Sequence, residues 1–458
     1  LPSIALFHRP TFQHRLYNEL SPEQSTALLA SMFSLSARHL YNDKSNVRKS
    51  VLDPSKFYKI ASTLVHTQLQ NCGDKPPPLV LLQTFIITTY YELVSGVRGI
   101  AWRSLGAAIR IAYELRLHLV DLPLRLSPTS TDSDSVNVWI AKEERRRVWW
   151  TLWELEVFAS FIRRSPLGMD LNQHATLLPV GDTCWFNGEK SASCFFEPDP
   201  VLRWKALKKS DNESGRAWFI VINSFLNDAH YLTNPSVPVE PSGEDDLPYY
   251  ARRHSTSKQR TSQASKLAVL DNCVSCFDMS LPQQLRFRPE RLHSPSLGQN
   301  KPDTHRKESE KQTIHAMIHL AKIMILHKDC FHHSRRGAES RDGIGIFGNK
   351  TSPTLDEANS YSNSVWSRYL LAAENVVGIV RNASIDHIRY RHPLLVNTFW
   401  IVAAIQLVQG AFAKTNCEKV LAQSNFELLC LTLIQHEQYW STSPVLLQNL
   451  KKLQRSLD

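Results

Sequence analysis

At 458 residues, with 42% hydrophobic and 21% charged side chains, the chain has the balance of a soluble globular protein and is long enough to bury a large core, as one big domain or two smaller ones. Lysine plus arginine exceed aspartate plus glutamate by 53 to 43, a net charge of +10, which favours a nuclear or nucleic-acid setting but is thin over this length. Eight cysteines are scattered along the chain and only Cys273 and Cys276 have metal-ligand spacing, so a tetrahedral site is not completed and a reducing compartment fits better than secretion. The chain opens on Leu1 and not on methionine, so it reads as a piece of a longer protein.

The first 18 residues read as an irregular apolar lead-in with a turn at His8, Arg9 and Pro10. Ser21 and Pro22 then form a helix start, and Ala27, Leu28, Met32, Leu35 and Leu40 recur at helical steps. A second helix spans 55–70, with Phe57, Ile60, Leu64 and Val65 inward, and the glycine and prolines of 73–78 break it. Residues 79–119 predict an αα-hairpin: an apolar helix, a connection through Gly96 and Gly99, and a return helix. On the return helix Leu105, Ala108, Ile109, Ala112 and Leu115 share a face, and Gly106 and Ala107 are small enough for close packing. Residues 124–138 read as a loop.

The densest signal lies in 143–166, EERRRVWWTLWELEVFASFIRRSP. Leu152, Leu155, Phe158, Ala159 and Ile162 line one face, and Trp150, Trp153, Val157 and Phe161 a second. A helix apolar nearly all round needs neighbours on several sides, and Pro166 ends it. Beyond it, LLPVGDTCWFNGE lacks any period and predicts a long irregular surface segment. Helices return at 217–232, 266–279, 312–331, 364–381, 393–413 and 426–439. Polar stretches at 233–265, 286–311 and 332–363 read as flexible insertions in a single unit over 1–458, whose core is 1–232 and 266–458. No strand pattern competes, so the expected fold class is all-α, a large multi-helix bundle. The run 393–413 could span a bilayer by length, but Asn397, Gln406 and Gln409 would each need an internal partner, and a buried bundle helix fits better.

Catalytic signals are weak. RDGIGIFGNK lacks a preceding strand and a following lysine–serine pair, no GxSxG elbow occurs, and Asp245 and Asp246 sit beside Pro248 in loop-like sequence. His315 and His319 are four apart on one helix, as zinc ligands can be, yet no HExxH glutamate lies between them and His327 points elsewhere. They read as satisfied core histidines; the competing expectation is a helical enzyme or a metal- or cofactor-binding protein using that helix. The basic runs 145–147, 205–209 and 252–258 lack aromatic interleaving, so arginines pairing with carboxylates of the same bundle are expected. No catalytic, cofactor-binding or metal-ligating residue is assigned.

RRVWWTLWELEVFASFIRRSPLGM resembles the central signature of the regulatory domain of fungal zinc-cluster transcription factors, the middle homology region or xylanolytic-activator-type domain. Arg146 and Arg147 match its paired arginines, Trp149 and Trp150 its aromatics, Glu156 its acidic position and Pro166 its proline. Val157 stands where the family usually has arginine, and Arg164 and Ser165 replace its Gly-Arg. FHRPTF is similar to its opening motif, and the hairpin matches at Gln83, Tyr91, Trp102, Gly106, Ala107, Ala112 and His118. LLPVGDTCW and ILHKDCF also resemble family segments, the latter with Lys328 and Asp329 for Arg-Pro.

The resemblance covers nearly the whole chain. It implies an effector-sensing and partner-binding regulatory domain, not an enzyme, of a nuclear transcription factor controlling RNA polymerase II transcription. It places Arg146, Arg147, Trp149, Trp150, Glu156, Pro166, Trp102 and Gly106 in the regulatory core. It implies no cofactor in this chain, with zinc held by a six-cysteine cluster expected upstream of Leu1, and DNA contacted only through that module. Implied partners are the transcription machinery or co-regulator proteins and a small-molecule effector, without a membrane; a homodimer is admitted, although no sustained heptad pattern marks one.

Overall fold

A computed structural model describes residues 5–41, 53–127, 135–233, 249–287, 301–339, 355–383 and 387–457. The described residues are helical throughout apart from connections and one isolated antiparallel bridge, Leu177 to Phe195, as an all-α chain requires. The first half carries α1 (Arg9–Asn18), α2 (Pro22–Tyr41), α3 (Pro54–Cys72), α4 (Leu79–Ser95), α5 (Gly99–Glu114), α6 (Leu122–Leu126), α7 (Val136–Arg163), α8 (Asp182–Asn187) and α9 (Pro200–Lys209). The second carries α10 (Gly215–Thr233), α11 (Tyr249–Ser280), α12 (Lys301–Glu339), α13 (Leu355–Arg381), α14 (His387–Tyr390), α15 (Val396–Ala411), α16 (Asn416–Trp440) and α17 (Val445–Leu457).

Helix α7 is the axis. Its cap is Ser135, whose hydroxyl accepts the Val138 N–H at 3.4 Å, and every residue from Val148 to Ser160 is buried. It starts seven residues before the tryptophan-rich motif because the polar first turns have their own partners, described below. It ends at Arg163, ahead of Pro166, where Arg164 takes a left-handed φ of 54° and turns the chain. Helices α4, α5 and α10 pack around it, which is what an all-round apolar helix demands. One contiguous apolar cluster runs from Leu6 to Leu450. Its far ends meet where buried Arg38 of α2 donates to the Trp440 carbonyl of α16, its guanidinium 4.8 Å from the Tyr91 ring.

Several expectations change. The expected turn at His8–Pro10 is the start of α1, because a proline in the first helical turn lacks only an N–H that has no intrahelical acceptor there. Ile60 is exposed, and α3 buries Ala61 and Val65 instead. Part of the expected 124–138 loop belongs to α6 and α7. The polar stretches continue neighbouring helices: 249–265 belongs to α11, 301–311 to α12, and 332–339 and 355–363 to α12 and α13. Residues 234–248, with Asp245 and Asp246, and 340–354, with RDGIGIFGNK, lie outside the described residues.

The expected surface segment after Pro166 is buried at Ala175, Leu177, Leu178 and Val180, an extended strap along α7 followed by α8 and α9. Residues 393–411 are long and apolar enough to cross a membrane, but Phe399, Val402 and Ala403 are buried in the bundle. Gln406 accepts from Asn425 of α16 at 3.1 Å, and Asn397 donates to the Leu394 carbonyl at 3.2 Å.

Candidate functional site

An extended strap inside a helical bundle has peptide groups that no sheet satisfies, and each would carry a penalty if left unpaired. Here side chains of α7 satisfy several of them. The Trp150 indole donates to the Leu177 carbonyl at 2.8 Å, Arg147 Nη2 donates to the Val180 carbonyl at 2.7 Å, and Glu143 Oε1 accepts the Val180 N–H at 3.0 Å. Asp121 Oδ2 accepts the Leu177 N–H at 2.9 Å. The charges that do this hold one another. Arg146 grips Asp121 through Nε at 2.8 Å and Nη2 at 2.6 Å and reaches Glu143 at 3.3 Å. Arg147 donates to Glu143 at 2.9 Å and to Asp182 at 2.5 Å, with its guanidinium 4.1 Å from the Trp185 ring centroid.

Both side chains of the Arg147–Glu143 pair are 0% exposed. Burial lowers the Arg147 pKa against the pull of Glu143, whereas for Arg146 the same burial is outweighed by Asp121 and Glu143 and the pKa is raised. A second tie lies one turn away: Glu144 accepts from Arg15 of α1 at 2.7 Å and from Gln83 of α4 at 2.7 Å.

Asp182 links this network to a cleft of about 550 Å³, a size typical of small-molecule sites. It takes Arg147 on one side and Arg306 of α12 on the other. The cleft's buried end holds Glu154, His392 and Phe219. His392 Nε2 lies 3.2 Å from Glu154 Oε1, and its ring stacks on Phe158 at 5.2 Å between centroids. Arg216 Nη2 stands 3.6 Å from Glu154 Oε2 and donates to the Thr151 hydroxyl at 2.5 Å. Glu310 lies against Gly215 at the start of α10, so close that a Cβ there would overlap its carboxylate. Burial raises the Glu310 pKa, with Arg306 and Arg216 pulling it back. Exposed Arg9 and Lys307 stand at the mouth.

The eight residues placed in the regulatory core by resemblance do not form one site. Arg146, Arg147 and Trp150 meet on the strap. Trp149 packs edge-on against Tyr113 at 5.3 Å on another side of α7. Glu156 accepts the Gly168 N–H at 2.6 Å, closing the turn after α7, and burial raises its pKa. Trp102 is half-buried under the Arg163 guanidinium at 5.2 Å, and Pro166 is exposed. Gly106 is a correction: it and Ala107 face outward, and a Cβ at Gly106 meets nothing within 4 Å, so close packing is not its role.

Asp121, Glu154, Asp182, Arg216, Glu310 and His392 escaped sequence reasoning. The one available signal was Glu143 standing three and four residues before Arg146 and Arg147. His315 and His319 give no support to the metal or enzyme alternative. The His315 ring accepts the Phe287 N–H at 2.9 Å, burial pushes the His319 pKa down to about 3, and no group of three or more metal-ligating side chains occurs among the described residues.

A helical bundle whose core charges hold its own backbone, with a cleft on one flank, has the build of a binding or regulatory domain. The family model described as the fungal specific transcription factor domain matches residues 2–326, and the chain belongs to that family. It is similar to the ascochitine biosynthesis cluster transcriptional regulator of Didymella fabae, at 24% identity over 39% of this chain and 29% of that protein. The citrinin biosynthesis transcriptional activator of Monascus purpureus shares 25% identity over 42% of this chain and 32% of its own length. A Zn(2)-C6 fungal-type transcription factor of Fusarium oxysporum f. sp. lycopersici shares 24% over 39% and 18%. The matched stretches thus span about a third or less of these relatives. No solved structure matches the chain.

Proposed function

We propose that this chain is the effector-sensing and partner-binding part of a nuclear transcription factor controlling RNA polymerase II transcription, and that it is not an enzyme. Family membership supports the transcriptional role. The carrying structural observation is Asp182, a single carboxylate shared between Arg147 of the buried α7 network and Arg306 of the cleft. An occupant of the cleft that competes for Arg306 changes the charge balance at α7, and any occupant that prefers one arrangement shifts the population toward it.

DNA is read by a six-cysteine zinc cluster preceding Leu1, whose thiolates hold the metal outside this chain. Co-regulator proteins or the transcription machinery take the output, alone or with a second copy of the chain. The roles of those relatives in ascochitine and citrinin biosynthesis point to genes of a biosynthetic cluster as targets. The test is to fuse the 458-residue chain to a heterologous DNA-binding domain and measure a reporter in a fungal host. Activation or repression that changes when Arg306 is substituted is expected. A stable nuclear fusion that leaves the reporter at the level of the DNA-binding domain alone overturns the proposal.

A further inference from the structure

We propose that the outward face of α5 docks an acidic helix of a partner protein. This deepens the partner-binding reading and rests on it. Helix α5 buries Ala101, Leu105, Ala108 and Ala112 against the bundle and leaves its opposite face open. Four exposed arginines stand on or beside that face: Arg98 at the cap, Arg103 and Arg110 along the helix, and Arg163 at the end of α7. Arg98 donates to the Ser443 hydroxyl at 2.9 Å. Arg163 lies over the Trp102 ring at 5.2 Å and donates to the Val97 carbonyl at 3.4 Å. None of the four pairs with a carboxylate among the described residues, and the only carboxylate that α5 itself carries is Glu114, in its last turn. The face is therefore a field of positive charge that the chain does not neutralise, and it is complementary to an acidic surface.

The shape of the face selects the kind of acid. Arg103 and Arg110 are seven residues apart, two helical turns or roughly 10.5 Å along the axis. Gly106 and Ala107 lie between them, both exposed. A Cβ at Gly106 would meet nothing within 4 Å, so the bundle has no use for a glycine there, and glycine weakens a helix interior. What it provides is a shallow saddle between two cations, where a second helix can lie close. Ile100, 61% exposed, adds an apolar contact at the edge. A helix with carboxylates seven residues apart and small side chains between them matches this face in charge and in spacing. A nucleic-acid backbone would meet the arginines but gain nothing from Ile100 or from the missing side chain at 106.

The test uses the 458-residue chain and a fluorescein-labelled, alanine-rich helical peptide with glutamates seven residues apart on one face, read by fluorescence anisotropy. Saturable binding that tightens as salt is lowered is expected. An isomer of the same composition, with its glutamates on opposite faces, should bind at least roughly tenfold more weakly. The double variant Arg103→Glu, Arg110→Glu should abolish binding, and Lys208→Glu, equally on the surface but on α9, should leave it unchanged. Gly106→Leu keeps every charge and improves helix propensity, so thermal stability should hold while peptide affinity falls at least roughly tenfold. The proposal is overturned by absence of saturable binding, by equal binding of the isomer, or by a Gly106→Leu chain that binds the peptide unchanged. Duplex DNA that displaces the peptide from the α5 arginines would give the face to nucleic acid and overturn it as well. The reporter fusion above reads transcription without this peptide, so the two readings can fail separately.

Discussion

Replacing Arg147 by methionine keeps most of the side-chain length and removes the guanidinium from a fully buried position. Three hydrogen bonds go with it, to Glu143, Asp182 and the Val180 carbonyl, along with the stack on Trp185. Glu143 keeps Arg146 and the Val180 N–H, and Asp182 keeps Arg306, but the Val180 carbonyl loses a donor that no water replaces easily. Removing one partner of a buried ion pair costs about 3–5 kcal/mol. That is a large share of the ~5–15 kcal/mol that holds a typical domain folded.

The comparison is Arg368→Ala, whose side chain is 51% exposed beside Asp271 and whose loss should cost under about 1 kcal/mol. Urea unfolding followed by tryptophan fluorescence reads both, because Trp149, Trp150, Trp153 and Trp185 are buried around α7. The double variant Arg147→Met, Glu143→Leu should lose less than the two single losses added together, since it leaves neither charge without its partner. If Arg147→Met unfolds within about 1 kcal/mol of the parent, and no further than Arg368→Ala, the buried network is not what fixes the strap to α7.

Acid sensitivity follows from buried histidines. Burial lowers the His174 pKa from 6.5 to about 4 and the His319 pKa to about 3. The unfolded chain therefore takes up protons near pH 6.5 that the folded chain refuses, and stability falls as pH drops through that window toward about 4. His319→Leu should flatten this slope in unfolding curves taken at stepped pH, and an unchanged slope would contradict it. Gly215→Ala must displace the Glu310 carboxylate, the end of a flexible side chain, so thermal stability should fall only slightly and recover when Glu310→Ala is added in the same chain. Trp150→Phe strands the Leu177 carbonyl and should cost about 1–3 kcal/mol more in urea than Trp149→Phe, whose indole N–H makes no hydrogen bond among the described residues. Equal losses for the two would deny Trp150 its role on the strap.

The local sequence reached far into this fold because helix signals are local. Periodicity at three and four residues marks α4, α5, α7 and α10 directly, and the apolar girth of α7 foretells burial on every side. It fails where context decides. The polar first turns of α12 look like an insertion until Arg306 meets Asp182, 124 residues earlier in the chain. The amphipathic α17 went unmarked although its Leu450 is buried.

Sequence alone determined that the chain is helical, that a tryptophan-rich helix lies at its centre, and that the family is a regulatory one, since periodicity and motif order survive without any knowledge of neighbours. Tertiary structure alone decided that Ala175–Val180 is an internal strap, because an aperiodic segment is buried only if other residues supply its peptide partners. It also decided which charges face a cleft. Arg147, Asp182, Arg306 and Glu154 come from three helices and are neighbours only when those helices pack.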